Sequence, residues 1–224
     1  MASYKLNLAR VRGLPPTDDI LKALNEFGVP DDDEFGVLKA SGTSTATMGV
    51  IIRRSRQAVQ QLDNETHELT SAGVDKVTAF PVTFWPEKEL MEIYAGSATS
   101  IEQIGLFLSG SLAFSTVTEG LEVDVPSAIE TLSEQKKFQL VSVRVSDFAH
   151  NSFMIGPYVP KFQDSQHGMD FIEKYLAGVT SATMKFAGPT GRVNVTITPN
   201  ACFRYSCHED DQAHVQSLLR GLTN

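Results

Sequence analysis

Val82-Thr83-Phe84-Trp85-Pro86 recurs 113 positions later as Val195-Thr196-Ile197-Thr198-Pro199, and the residues after each copy also match. Met91 and Ile93 align with Phe203 and Tyr205 at an offset of 112. Ile104, Phe107, Leu108 and Gly110 align with Val215, Leu218, Leu219 and Gly221 at an offset of 111. The alternation in the first two blocks is that of strands, and the three- and four-residue spacing in the third is that of a helix. The offset falls by one in the turn and by one at the helix cap, where chains tolerate single-residue deletions. Each half also opens with an apolar-alternating run (Leu6 to Val11, Phe138 to Val145) and a helix stopped by glycine (Gly28, Gly178). A repeat of strand, helix, antiparallel strands and helix implies an α+β fold: two related halves, each an antiparallel sheet covered by helices, able to join in one continuous curved sheet. The halves fall at residues 1–114 and 138–224. A connector at 115–137 contains Pro126 and a short amphipathic helix carrying Ile129 and Leu132.

Between these landmarks the pattern is less regular. Thr17 is placed to cap a helix with Asp18 and Asp19 in its first turn and Ile20, Leu21, Leu24 and Phe27 along one face. Phe35–Lys39 and Thr45–Arg53 read as strands around the Ser41–Ser44 turn, and 192–198 pairs with 182–187 across Gly188-Pro189-Thr190-Gly191. Residues 54–74 are polar, and the spacing predicts a surface helix over Arg56 to Leu62 followed by a loop.

Composition narrows the function. The chain has 224 residues and a formal charge of −8, so it has no general attraction for phosphate backbones, although a local basic patch remains compatible. Its most apolar stretch, Ile104 to Phe114, is broken by Gly105, Ser109, Gly110 and Ser111 and falls short of a membrane span. The first residues lack the apolar core of a secretory signal, and two cysteines five positions apart form no secreted-type disulfide framework. These features imply a cytoplasmic location, with Asn64-Glu65-Thr66 read as a chance glycosylation match.

Reactive residue types concentrate in Ala201–His214, which holds both cysteines, two of the five histidines and three consecutive acids. Side chains five apart on a strand face opposite ways, so Cys202 and Cys207 diverge and a zinc site built from them with His208 and His214 is disfavoured. Cys207 beside His208 at a strand-to-helix junction is the one arrangement fit for a nucleophile, since a helix N-terminus lowers a thiol pKa. Glu209, Asp210 and Asp211 oppose that effect and read as complements to the first helical turn. No phosphate loop, serine elbow or His-Glu-x-x-His helix is present. His67, His150 and His167 are isolated. No catalytic residue, metal ligand or cofactor is assigned, and the balance favours a non-enzyme.

The element order resembles the TATA-box-binding protein and its relatives. The residues that carry this are Val82 to Gly110 and Val195 to Gly221. The resemblance implies a saddle with helices on its convex side and an open sheet face carrying Phe84, Trp85, Ile93, Tyr94, Phe203 and Tyr205, with Arg192 and Arg204 as cations. The leading expectation is a cytoplasmic binding or assembly subunit that holds a protein partner, or another copy of itself, on a sheet edge or on the aromatic face of Phe84, Trp85, Tyr94, Phe203 and Tyr205. The alternative is nucleic-acid binding through Arg53, Arg54, Arg56, Arg192 and Arg204. The second alternative is an enzyme of unknown type with a Cys207/His208 site. Arg53, Arg54 and Arg56 form the one dense basic cluster, which also has Asp31-Asp32-Asp33-Glu34 as a candidate ion-pair partner.

Overall fold

A computed structural model describes residues 2–31, 33–62, 69–94, 96, 99–151 and 154–223. Asn64-Glu65-Thr66, His67 and Asp32 lie outside the described residues. The elements run β1 (Ala2–Arg12), α1 (Thr17–Phe27), β2 (Phe35–Gly42), β3 (Thr47–Leu62), β4 (Leu69–Trp85), β5 (Leu90–Ile93), α2 (Thr99–Leu106), β6 (Val117–Gly120), α3 (Val125–Ser133), β7 (Gln139–Asn151), β8 (Met154–Tyr158), α4 (Ser165–Tyr175), β9 (Val179–Ala187), β10 (Arg192–Ile197), β11 (Cys202–Cys207) and α5 (Gln212–Gly221). The fold is α+β, with antiparallel sheets and helices packed on them. No helix among the described residues is long and apolar enough to cross a membrane.

The chain forms two compact units, and neither is a single stretch of sequence. One comprises residues 11–95 and 102–118; the other comprises 1–10, 96–101 and 119–224. In the first, the strands are ordered β2-β3-β4-β5. Helix α1 packs on β2 and β3. Ile20 and Leu24 are fully buried, as are Ile51, Phe84, Met91 and Ile93 from the sheet. Phe107 closes this core, meeting Phe27 edge-on at 5.2 Å and Phe35 at 5.4 Å. Pro16, not Thr17, precedes the first helical turn, and no side chain caps it. The Thr17 carbonyl instead accepts a 2.9 Å bond from the Thr47 hydroxyl, which ties the helix start to β3.

In the second unit the order is β1-β11-β10-β9-β7-β8. Helices α3, α4 and α5 pack on β9, β7 and β11. Alternation along β10 and β11 is strict: Val193, Val195, Ile197, Phe203, Tyr205 and Cys207 are buried, and the residues between them are half-buried or exposed. In α3, Ile129 and Leu132 are fully buried.

The repeat is visible in the ladders themselves. Val82 pairs with Ile93 and Phe84 with Met91; at the aligned positions Val195 pairs with Tyr205 and Ile197 with Phe203. The turn between the strands places a non-glycine residue in the left-handed region at equivalent positions, Glu89 at φ 49° and Ala201 at φ 48°. The shared unit is therefore β3-β4-β5-α2 against β9-β10-β11-α5. The opening strands do not occupy matching places, because β7 flanks β9 as β2 flanks β3, whereas β1 flanks β11.

The surface helix expected over Arg56 to Leu62 is absent. Residues 54–62 continue β3, which pairs with β4 without interruption from Thr47↔Phe84 to Leu62↔Leu69. Partner pairing along the whole strand outweighs the weak local helix pattern of a polar segment.

Candidate functional site

The side of the second unit's sheet opposite the helices is built from strand parity. Lys5 lies opposite Arg204, Arg204 opposite Thr196, Thr196 opposite Thr183 and Thr183 opposite Ser142. Directly opposed residues on antiparallel strands point to the same side, so these five side chains form one row across five strands. A second row runs Ser3, Ser206, Asn194, Lys185 and Gln139. Arg192 and the pair Ser181↔Arg144 extend the same face.

Charge on this face is one-sided. It carries Lys5, Arg144, Lys185, Arg192 and Arg204, and the five paired segments (Ser3–Asn7, Gln139–Arg144, Ser181–Ala187, Arg192–Ile197 and Cys202–Ser206) contain no Asp or Glu. In a chain of formal charge −8 this is a marked local reversal. Between the cations sit neutral donors and acceptors. The Thr183 and Thr196 hydroxyls are 3.0 Å apart, and Asn194 Nδ2 donates to Ser206 Oγ at 3.0 Å. Lys5, Arg144 and Arg204 border a hollow of about 720 Å³ with Thr196 and Asn200 in its lining. Lys137, Lys185 and Arg192 border a second hollow of about 400 Å³ beside the Gly188–Gly191 turn.

That turn is held from behind. Asp211 is fully buried. Its carboxylate accepts from the Thr190 and Gly191 amides at 2.9 and 3.1 Å. A Cβ on Gly188 would lie 2.7 Å from Asp211 Oδ2, so only glycine lets the turn sit this close.

The aromatic face does not exist as expected. Phe84 and Phe203 are 0% exposed and Tyr205 is 2% exposed. All three project to the helix side, where Tyr205 stacks on Tyr4 at 5.2 Å and accepts from Gln216 Nε2 at 3.0 Å. The reason is parity: on β11 the aromatics alternate with Cys202, Arg204 and Ser206, and the apolar set is the one the helices cover. Trp85 and Tyr94 are half-buried in the first unit. Lys88 Nζ lies 5.1 Å above the Trp85 ring. The Tyr94 hydroxyl is 3.2 Å from Thr83 Oγ1 and donates to the buried Glu92 carboxylate.

The arginine cluster is divided by its environment. Arg53 pairs with Glu34. Arg54 Nη1 donates to the carbonyls of Pro30, Asp31 and Asp33, so it clamps the acidic loop. Arg56 is exposed, with its guanidinium lying against Gly73.

Both cysteines are free, and they face apart as parity requires. Cys207 is fully buried, and burial with the nearby Asp211 pushes its thiol pKa up. His208 is exposed; its Nδ1 accepts from the Asp210 amide at 3.4 Å and caps the short turn there. A thiol so held is protonated and shielded, the reverse of what a nucleophile needs. Burial also raises the Cys202 pKa, which outweighs the opposing pull of Arg204 and Lys5. Among the described residues no three His, Cys, Asp or Glu side chains converge as metal ligands would.

Of this face the sequence reading names Arg192 and Arg204 and misses Lys5, Arg144 and Lys185, although alternation around Phe203 and Tyr205 is the signal that places them together. No protein-family model matches the chain, and no curated protein matches it.

Proposed function

We propose that this chain is a non-enzymatic, cytoplasmic binding protein that holds a nucleic-acid backbone on the open sheet face of its second unit. The observation that carries the reading is the five-cation, carboxylate-free face. Lys and Arg side chains set among hydroxyl and amide groups are the chemistry that recognises phosphate oxygens. The two hollows, with separate sets of cations on one sheet face, suit an extended polyanion better than a single small anion. No aromatic side chain stands among the rows across this face. Binding therefore tracks the backbone and does not stack bases, which makes it tolerant of sequence. The resemblance in element order to the TATA-box-binding protein supports a sheet-face binder, but the two rows carry polar and cationic side chains and no apolar wedge to kink a duplex.

The test is fluorescence anisotropy of labelled single-stranded and duplex oligonucleotides at low salt. The wild type is expected to bind, and a Lys5→Glu/Arg204→Glu variant with an unchanged circular dichroism spectrum is expected not to. Absence of binding by the wild type at low salt would overturn the reading.

A second reading, assembly through a sheet edge, is favoured by one observation: among the described residues, β4 from Leu69 to Phe80 has a strand partner on one side only.

A further inference from the structure

The β3–β4 pair runs far beyond the strands that flank it. β2 covers β3 from Thr47 to Arg53, with one further backbone bond from the Arg54 amide to Glu34. β5 covers β4 only from Val82 to Trp85, with one further bond to the Pro81 carbonyl. From Ser55↔Lys76 to Leu62↔Leu69, the described residues form a two-stranded ribbon of eight pairs, about 27 Å long at strand rise. Residues 56–60 and 73–77 are exposed on both sides of this ribbon.

Two-stranded ribbons are marginal in water, and long unpaired edges are usually blunted by proline, bulges or charge. The outer edge of β4 from Leu69 to Phe80 has none of the first two. It contains no proline, its register with β3 is unbroken, and Asp75 and Lys76 are its only charges. Val74 and Val77 are 44% and 57% exposed along it.

We propose that this edge pairs antiparallel with the same edge of a second copy of the chain, giving a two-fold dimer with a four-stranded arm. The inference rests on the assembly reading above and names its surface and partner. A two-fold axis through Val74 sets Val74 against Val74 and Asp75 against Gly73, and brings no like charges opposite each other. The edge is thus complementary to its own copy, which is what an isologous interface demands. It also completes the outward-facing backbone groups of β4 with a strand, the partner they fit geometrically.

Sedimentation velocity on the full chain tests this with Val74→Lys, Val74→Glu and their equimolar mixture. Val74 is exposed, so neither substitution enters the core. The wild type is expected at twice the 24.5 kDa chain mass. Each variant alone places like charges on the axis and is expected to dissociate at least tenfold more readily. The mixture, with lysine facing glutamate, is expected to recover the dimer. A wild type that stays monomeric at its highest soluble concentration overturns both the pairing and the assembly reading. A wild-type dimer that Val74→Lys leaves intact overturns the β4 pairing alone and places assembly on another surface.

Discussion

Removing part of the cationic face changes a slope as well as an affinity, and the slope counts phosphates. Lys5, Arg144 and Arg204 border one hollow, whereas Lys185 and Arg192 border the other. For single strands each neutralised phosphate contributes about 0.7 to the fall of log K with log salt, so five contacts give a slope of about −3.5 and two give about −1.4. Between 50 and 200 mM salt, affinity then drops about 130-fold for the wild type and about 7-fold for the Lys5→Ala/Arg144→Ala/Arg204→Ala variant. All three side chains are exposed, so the triple variant keeps its fold. Anisotropy titrations of a labelled oligonucleotide across that salt range measure both slopes. A triple variant that binds with the wild-type slope refutes the assignment of these cations, whatever its affinity at a single salt concentration. A wild-type slope near zero refutes phosphate contact altogether.

Other outcomes are set by the packing. Asp211→Ala leaves two amides of the Gly188–Gly191 turn without their charged acceptor, and is expected to cost about 2–4 kcal/mol in urea denaturation, discounted for partial re-solvation of an exposed turn. Gly168→Ala gains helix propensity but drives a Cβ to 2.8 Å from Leu140 Cδ2 and 3.1 Å from Phe162; a net loss of about 1–3 kcal/mol is expected from the same measurement. A disulfide reagent is expected to titrate one thiol in the native protein, half-buried Cys202, and the second only on unfolding, with Cys202→Ser removing the native signal. Burial and then Asp211 raise the Cys207 pKa above its ordinary 9.0, so the unfolded chain releases that proton first and stability falls as pH rises from about 9 through the higher folded value. Melting temperatures across pH 8 to 10.5 should show that fall, and Cys207→Ala should flatten its onset.

The strand-turn-strand-helix repeat is legible in the sequence because both of its signals are local: period-two alternation and a turn at a fixed place. The two ladders have the same register at the aligned positions, and Glu89 and Ala201 take the same left-handed place in the turn. Which side of the strands faces the helices is readable in principle, yet the expected aromatic face has the wrong parity. Phe203 and Tyr205 alternate with Arg204, and the apolar set of an alternating strand is the one that gets covered. The extension of β3 and β4 is not legible. Polar residues such as Gln57, Gln60 and Gln61 give neither period, and only the partner strand determines their conformation. The clamp of Arg54 on the acidic loop needs the loop's carbonyls, which sequence does not place, whereas the Arg53–Glu34 pair is expected from charge.

The repeat also localises the proposed chemistry. Thr83 opposite Glu92 in the first unit corresponds to Thr196 opposite Arg204 in the second. The backbone frame is the same, and the charge at the equivalent position is inverted. In the first unit the carboxylate is fully buried and takes the Tyr94 hydroxyl. The neighbouring hollow of about 280 Å³ is lined by Met48, Val50, Pro81 and Tyr94, with Lys39 its one cation. The acid of the first unit is buried and the hollow beside it is largely apolar, whereas Arg204 is exposed and able to meet a phosphate. The two copies of one framework thus differ at this position, and the proposed site for a nucleic-acid backbone is on the copy built around Arg204. Glu92→Gln should therefore leave oligonucleotide affinity unchanged, whereas Arg204→Gln should weaken it and reduce the salt slope by about 0.7. Equal effects from the two substitutions would place the ligand across both sheets and defeat the argument that the repeats have diverged in function.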